Sequence, residues 1–415
     1  MKIAVLGAGI AGITTAYELN RDGHEVTVIE RESEPAAFTS YANAGLFAPA
    51  HAYAWSSPAA PKILLRSLWR NDQALRFKPS ADPAFWRWMW LFWQQCTVES
   101  AARNTKRKAR LCNYSQSVFH ETLARAPVKY DGNKGGLLYF YRSPAAFEAA
   151  AAKSRILREE GCEIQSLDRD GAAEADPALA PVKDRIAGAL FAPHDESGDC
   201  RLFARNMAQW LKGQGVSFRF ETTVAALKLD GDKVTAVQTD KGEVAADGVV
   251  LCLGVYTPQL ARQIGLNLPV YPVKGYSITA PVSGRNNPPT IGGVDEENLV
   301  AYAPYGDRVR ATATAEFSGY DTSHKPSDFA HMLKIMRELF PSGADWSACE
   351  FWAGLRPMTP EGTPILGATR LRNLWLNTGL GHMGWTMSHA TARITADLVA
   401  GRKPQIPLDG MTAVT

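Results

Sequence analysis

The sequence predicts an α/β fold, with one unit on a parallel sheet and a second, α+β lobe on a mainly antiparallel sheet. The chain opens as strand, glycine turn, helix and strand within its first thirty residues. Residues 270–315 alternate in short strands, and the C-terminal part closes as strand, second glycine turn and helix. A length of 415 residues suffices for two such units.

Lys2–Leu6 is a short apolar strand and Gly7–Gly12 a tight turn. Ile10, Ile13, Ala16, Tyr17 and Leu19 line one side of a helix that ends near Asp22-Gly23, and Glu25–Ile29 is the second strand. From Ser33 to Pro61 the βα rhythm stops in an irregular loop rich in Ala, Ser, Tyr and Pro, followed by a Trp- and Arg-rich helical region to about Arg125. Gly135–Tyr141 reads as a strand, Pro144–Glu160 as a helix, Ile186–Ala192 as a strand, Leu202–Gly213 as a helix and Val216–Phe220 as a strand. Val224–Leu229, Lys233–Thr239 and Glu243–Ala246 form a β-meander with turns at Asp230-Gly231 and Lys241-Gly242. Val249–Leu253 is a buried strand ending at Gly254, a helix surrounds Asp328–Leu339, and strand Leu374–Asn377 leads through glycines to a helix over Trp385–Ala400.

Composition narrows the function. A net charge of +3 lacks the basic footprint that nucleic-acid binding needs. The six cysteines are scattered without a CxxC pair or clustered histidines, which argues against a disulfide framework and against a metal site. Reduced thiols, and an N-terminus that enters a strand at once instead of a signal-peptide pattern, predict a cytoplasmic protein. No apolar run approaches the ~20 residues of a spanning helix. The aromatic stretch Phe85–Trp93 is short and broken by Arg87. Core packing is its commoner use; beside the basic run Arg103–Arg110 it also suits peripheral contact with a membrane.

In Gly7-Ala8-Gly9-Ile10-Ala11-Gly12 the first glycine makes the turn, Gly9 lets backbone approach a pyrophosphate, and Gly12 allows close helix–strand packing. The helix N-terminus offers N–H groups to phosphates, and Glu30, 18 residues beyond Gly12, suits a ribose. The unit is thus Rossmann-like and binds a dinucleotide. The small, polar loop around Ser40, Asn43, Ala44 and Gly45 suits an extended ribityl chain. The second turn, Gly379-Leu380-Gly381-His382-Met383-Gly384-Trp385-Thr386, places a helix start where negative charge on a reduced flavin could be stabilised. Two glycine turns from opposite ends of the chain favour FAD over NAD.

These segments, with Gly198-Asp199-Cys200, Pro272-Val273-Lys274-Gly275-Tyr276 and Trp352–Pro360, resemble the bacterial D-amino acid dehydrogenase small subunits of the D-amino acid oxidase/glycine oxidase group. The resemblance spans nearly the whole chain in order. It implies a two-domain FAD enzyme that oxidises D-amino acids to imino acids, which give 2-oxo acids and ammonia, with electrons passed to a quinone or other respiratory acceptor. Hydride leaves the α-carbon directly, so the protein supplies position and electrostatics. The expected FAD-binding domain comprises 1–60, 146–265 and 354–415, of the glutathione-reductase type with a β-meander; 61–145 and 266–353 form the substrate domain. Contact with the cytoplasmic face of the inner membrane fits the same reading.

By that resemblance Arg356 clamps the substrate carboxylate, Val224 meets the adenine, and Lys274 and Gly275 lie beside the flavin; Gly254 joins the cofactor set. A guanidinium fork suits a carboxylate, although arginines also form structural ion pairs. Tyr276, Tyr302 and Tyr305 are candidates to bond the carboxylate or roof the pocket, against the ordinary use of strand tyrosines in packing. His382 is a candidate at the flavin edge or in packing, and His51 is a weaker one. Relatives often carry Gly-His-Gly-x-x-Gly in the last turn; here Leu380 fills the histidine slot and His382 follows two positions later. Competing readings are a glycine/sarcosine-type amine oxidase and a D-proline or hydroxy-D-proline dehydrogenase. An NAD enzyme is disfavoured by the lost βα rhythm after Glu30, and a non-catalytic binding module by the intact turn.

Overall fold

A computed structural model describes residues 1–67, 75–78 and 80–412. Residues 68–74 and 79, inside the expected helical region, lie outside the described residues.

The first sheet is built around the N-terminal strand. Its order is Ile365–Ala368, Leu374–Thr378, Gly248–Leu251, Lys2–Leu6, Glu25–Ile29, Ser217–Arg219. All neighbours are parallel except the first pair. Central strands buried on both faces read as continuous apolar runs, which is why Ala-Val-Leu and Val-Val-Leu sit at its middle. Helix Ile10–Arg21 covers one face and is itself covered by the last helix, Gly384–Val399. The two are tied by Thr14 Oγ1 to the Ser388 carbonyl (3.2 Å) and by Arg393 to buried Glu18 (2.7 Å). The meander Val224–Asp230, Lys233–Thr239, Gly242–Ala245 packs its apolar face over the opposite side of the sheet.

The second sheet runs Glu350–Met358, Tyr271–Pro281, Arg308–Phe317, Val300–Tyr305, Gly292–Asp295, Leu137–Tyr141, Gly188–Ala192, Gln165–Leu167, with Leu75–Phe77 beside Arg308–Phe317. It is antiparallel apart from two parallel pairs, Gly292–Asp295 with Leu137–Tyr141 and Arg308–Phe317 with Leu75–Phe77. Strands Gln165–Leu167 and Gly188–Ala192 join this sheet, although the expected division groups 146–265 with the nucleotide unit. Sheet partnership is decided by a neighbour far away in sequence, here Leu137–Tyr141, which local pattern alone does not reveal.

Local chemistry places several boundaries. The expected helix 144–160 is two helices, Pro144–Lys153 and Arg155–Glu159, meeting at Ser154. Asp199 caps helix Cys200–Gly213 by accepting the Leu202 N–H at 3.1 Å. The same carboxylate pairs with Arg308 at 2.8 Å, so the Gly198-Asp199-Cys200 motif ties the helix to the second sheet. Helix Pro83–Gln94 resolves the aromatic stretch into two faces. Phe85, Trp88 and Phe92 are buried against Tyr271, Val273, Phe317 and Met358, while Trp86, Trp90 and Trp93 are 54%, 63% and 54% exposed.

Candidate functional site

Between the two sheets lies a cavity of about 800 Å³, within the size of ligand sites. One end is set by the N-terminal turn. Gly7 has φ +101°, and a β-carbon on Gly12 would stand 1.8 Å from the Gly7 carbonyl oxygen, so helix and turn meet only because both lack side chains. Gly9, Ile10 and Ala11 line the cavity; Gly12 does not, and its part is this close packing. Ser40 Oγ accepts the Ile10 N–H at 3.1 Å, joining the loop Ser40–Gly45 to the helix start. Glu30 stands at the cavity margin and accepts the Ala8 N–H at 2.6 Å. Val224 and Gly254 border the same end, where the Arg31 guanidinium lies 4.1 Å from the Tyr256 ring centroid.

The middle and far end are contributed by the last turn and the second sheet. Gly379, Gly381, His382, Met383, Gly384, Trp385 and Thr386 all line the cavity. Helix Gly384–Val399 starts there without a side-chain cap and without an acidic residue in its first turn. Thr386 Oγ1 accepts the Ala48 N–H at 3.1 Å and holds the segment after Gly45 beside the turn. This donor set fits FAD. An uncapped helix start and a glycine turn suit anionic groups, a carboxylate suits a ribose, and the cavity is long enough to draw on both ends of the chain.

Arg356 is half-buried at the far end. Its Nη1 donates to the carbonyls of Thr314 (3.0 Å) and Lys274 (3.3 Å), and no carboxylate among the described residues lies within ion-pair distance. Burial pushes its pKa down to about 10. The carbonyl of Thr314 is aimed by a left-handed backbone, φ +65°, at a register shift between Tyr271–Pro281 and Arg308–Phe317. The guanidinium crosses Gly275, which lines the cavity. His382 is held far below the ordinary histidine pKa by burial, then by the charges of Lys108, Arg356 and His51. That direction favours the neutral imidazole.

Four expected residues are placed elsewhere or otherwise engaged. Tyr302 is fully buried against Phe340, its hydroxyl has no hydrogen-bond partner among the described residues, and its neighbour Ala301 takes the cavity-facing position instead. Strand alternation turns successive side chains to opposite faces, so the candidate is one residue out of phase. Lys274 is buried away from the cavity, with its ammonium on the Ser323 carbonyl and 3.7 Å from Asp321; only its carbonyl serves the site, through Arg356. Tyr276 lines the cavity, but its hydroxyl donates to Glu316 at 2.8 Å. Tyr305 donates to the Ala44 carbonyl at 3.0 Å, supporting the Ser40–Gly45 loop from behind.

Two features escaped sequence reasoning. Trp55 stacks on His382 at 4.5 Å and lies 6.0 Å from the Arg356 guanidinium. His51 pairs with Glu296 at 2.7 Å on the cavity wall. Neither has a local signal, because each partner comes from a distant segment. No group of residues that could hold a metal occurs among the described residues.

The family described as FAD dependent oxidoreductase (DAO) matches residues 2–398. D-amino acid dehydrogenase 2 of Mesorhizobium japonicum is 47% identical over 412 residues, covering 99% of each chain. D-amino acid dehydrogenase of Agrobacterium fabrum is 40% identical over 406 residues, 98% of this chain and 97% of its own. Among solved structures, glycine oxidase from Geobacillus kaustophilus superposes with a TM-score of 0.77 at 22% identity, over 99% of this chain and 98% of its own. L-proline dehydrogenase from P. horikoshii does so with 0.75 at 17%, over 99% and 96%. These structures share the fold.

Proposed function

The chain belongs to the DAO family of FAD-dependent oxidoreductases, and from that premise we propose that it oxidises D-amino acids to 2-oxo acids and ammonia through the imino acids. The observation that carries the reading is Arg356, a cavity-lining guanidinium without a carboxylate partner among the described residues. Such a group is costly to bury alone and becomes favourable when a substrate carboxylate reaches it. In this reading Arg356 fixes the carboxylate, neutral His382 and the Trp55 ring bound the space beside it, and Tyr276 stays a wall residue. Bound FAD would accept the hydride from the α-carbon. The turn Gly7–Ala11 with Glu30, the loop Ser40–Gly45, Val224 and Gly254, and the turn Gly379–Thr386 would hold it from the two ends of the chain.

The proposed division into domains follows the two sheets, so that 165–192 goes with the substrate unit. For the electron acceptor we favour a quinone reached at the cytoplasmic face of a membrane. No helix among the described residues is long and apolar enough to cross a bilayer. The exposed Trp86, Trp90 and Trp93, with Arg87 between them and the basic helix Val98–Arg125 following, supply the aromatic and cationic groups that bind an anionic lipid surface.

Anaerobic bleaching of the purified yellow protein tests the substrate reading. D-Amino acids should reduce the flavin and L-isomers should not. Reduction only by L-isomers or N-methylglycine would overturn it, and consumption of oxygen in place of a quinone analogue would replace the acceptor.

A further inference from the structure

Helix Val98–Arg125 lies outside the cavity lining, yet two of its side chains grip one peptide bond of the cavity wall. Thr105 Oγ1 accepts the Ala54 N–H at 3.1 Å, and Lys108 Nζ donates to the Tyr53 carbonyl at 2.6 Å. The N–H and the carbonyl belong to the same Tyr53–Ala54 peptide. Thr105 and Lys108 are three residues apart, so one helical turn presents an acceptor and a donor to the two sides of that unit. Both are buried, at 5% and 0% exposure. The next residue is Trp55, in a stretch without regular secondary structure.

We propose that Thr105 and Lys108 are positioning residues for substrate: by clamping the Tyr53–Ala54 peptide they seat Trp55 against His382 and beside Arg356. The proposal rests on the reading of Arg356 as the carboxylate site. Three arguments support it. The segment has few hydrogen bonds of its own around Trp55, the Ser57 N–H to the Trp55 carbonyl and the Tyr53 N–H to the His51 carbonyl, so its path depends on outside groups. Trp55 also packs against the apolar cluster that includes Phe85, Trp88 and Phe92 of helix Pro83–Gln94, which precedes the helix carrying the clamp. Finally, a lysine without a carboxylate partner among the described residues is an expensive choice for a fully buried position that methionine would fill at similar length. Burial depresses its pKa to about 8, a further sign of that cost. The ammonium is explained by the carbonyl it holds.

The test uses the FAD-loaded full chain and anaerobic stopped-flow reduction by a D-amino acid, which separates apparent substrate Kd from the limiting reduction rate. Thr105→Val keeps shape and removes the acceptor; Thr105→Ser keeps the hydroxyl; Lys108→Met removes the donor. Thr105→Val and Lys108→Met should each raise the apparent Kd about tenfold, the scale of one buried polar group left unpaired. FAD content should stay at wild-type level and the limiting rate should change less than about threefold, a smaller effect than on Kd. Thr105→Ser should stay within about twofold of wild type, a restored hydrogen bond. The double variant should be no worse than the worse single, because both release the same peptide. If Lys108→Met fails to load FAD, Thr105→Val against Thr105→Ser still decides.

Unchanged Kd in Thr105→Val, with only a lower melting temperature, would overturn the proposal and leave a purely structural clamp. Arg356→Gln is the parallel control. A large loss of binding there with silent clamp variants rejects the clamp alone, while no loss there rejects the carboxylate reading on which the clamp depends.

Discussion

The Arg356 guanidinium lies across Gly275 so closely that a β-carbon at 275 would stand 2.4 Å from its Nη2 and 2.5 Å from Nη1. The absence of a side chain on one strand therefore sets where the cation sits on the next. Gly275→Ala must push the guanidinium off the carbonyls of Lys274 and Thr314. The expected result is a rise in substrate Kd of about 30-fold, or ~2 kcal/mol, from weakened charge-assisted hydrogen bonds. Arg356→Gln should cost more, with FAD absorbance retained in both. Equal Kd in Gly275→Ala and wild type would show that Arg356 does not bind the carboxylate from this position.

Tyr302→Phe supplies the opposite expectation. The hydroxyl is buried and without a partner among the described residues, so its removal takes away a polar group and no hydrogen bond seen there. Chemical denaturation should show stability unchanged or raised by ~1 kcal/mol. Reduction kinetics should match wild type; a loss of rate would return Tyr302 to the site.

Asp195 gives a pH prediction. It accepts hydrogen bonds from Tyr139 (2.7 Å) and the Ala50 N–H (3.2 Å), but burial dominates and raises its pKa to about 7. Between roughly pH 4 and pH 7 the folded chain holds a proton that the unfolded chain has lost. This group's stabilising contribution is thus fully present at low pH and is lost as pH rises through about 7. Asp195→Asn mimics the protonated acid. The stability difference, wild type minus variant, should fall by up to ~3 kcal/mol between pH 4.5 and pH 8. Parallel pH profiles in urea titrations would refute the assignment.

The two faces of helix Pro83–Gln94 should separate in mutagenesis. Trp86→Ser/Trp90→Ser/Trp93→Ser changes only exposed positions, so FAD content should be preserved while co-sedimentation with anionic phospholipid vesicles falls by at least about tenfold. Trp88→Ser should instead destabilise by about 3 kcal/mol or more, since Trp88 is buried and donates to the Met358 carbonyl at 2.9 Å. Undiminished vesicle binding by the triple variant would remove the membrane from the proposal.

Much of this was legible in the sequence because it is written in local chemistry. The turn Gly7–Gly12 announces itself through a backbone conformation and a close approach that only glycine allows, and the meander through paired turn residues. Arg356 and Gly275 were both marked as site residues, but their contact was not, because it passes between two antiparallel strands whose register the sequence does not print. Tyr302 and Lys274 failed through parity, each one residue from a cavity-facing neighbour. The bulge at Thr314 and the stack of Trp55 on His382 are tertiary events, 327 residues apart in the second case, with no periodic signature at either end.

The order of the first sheet also fixes a timetable for synthesis. Lys2–Leu6 and the turn after it leave the ribosome long before the strand's other flank, Gly248–Leu251, and before Leu374–Thr378 beyond that. Helix Ile10–Arg21 waits longer still, for the packing surface of Gly384–Val399. The nascent unit around Lys2–Leu6 is therefore a half-built edge with exposed apolar faces that needs shielding until Gly384–Val399 is made. Flavin loading would be expected after that point, because Gly379–Thr386, which borders the cavity, is translated after its other lining segments.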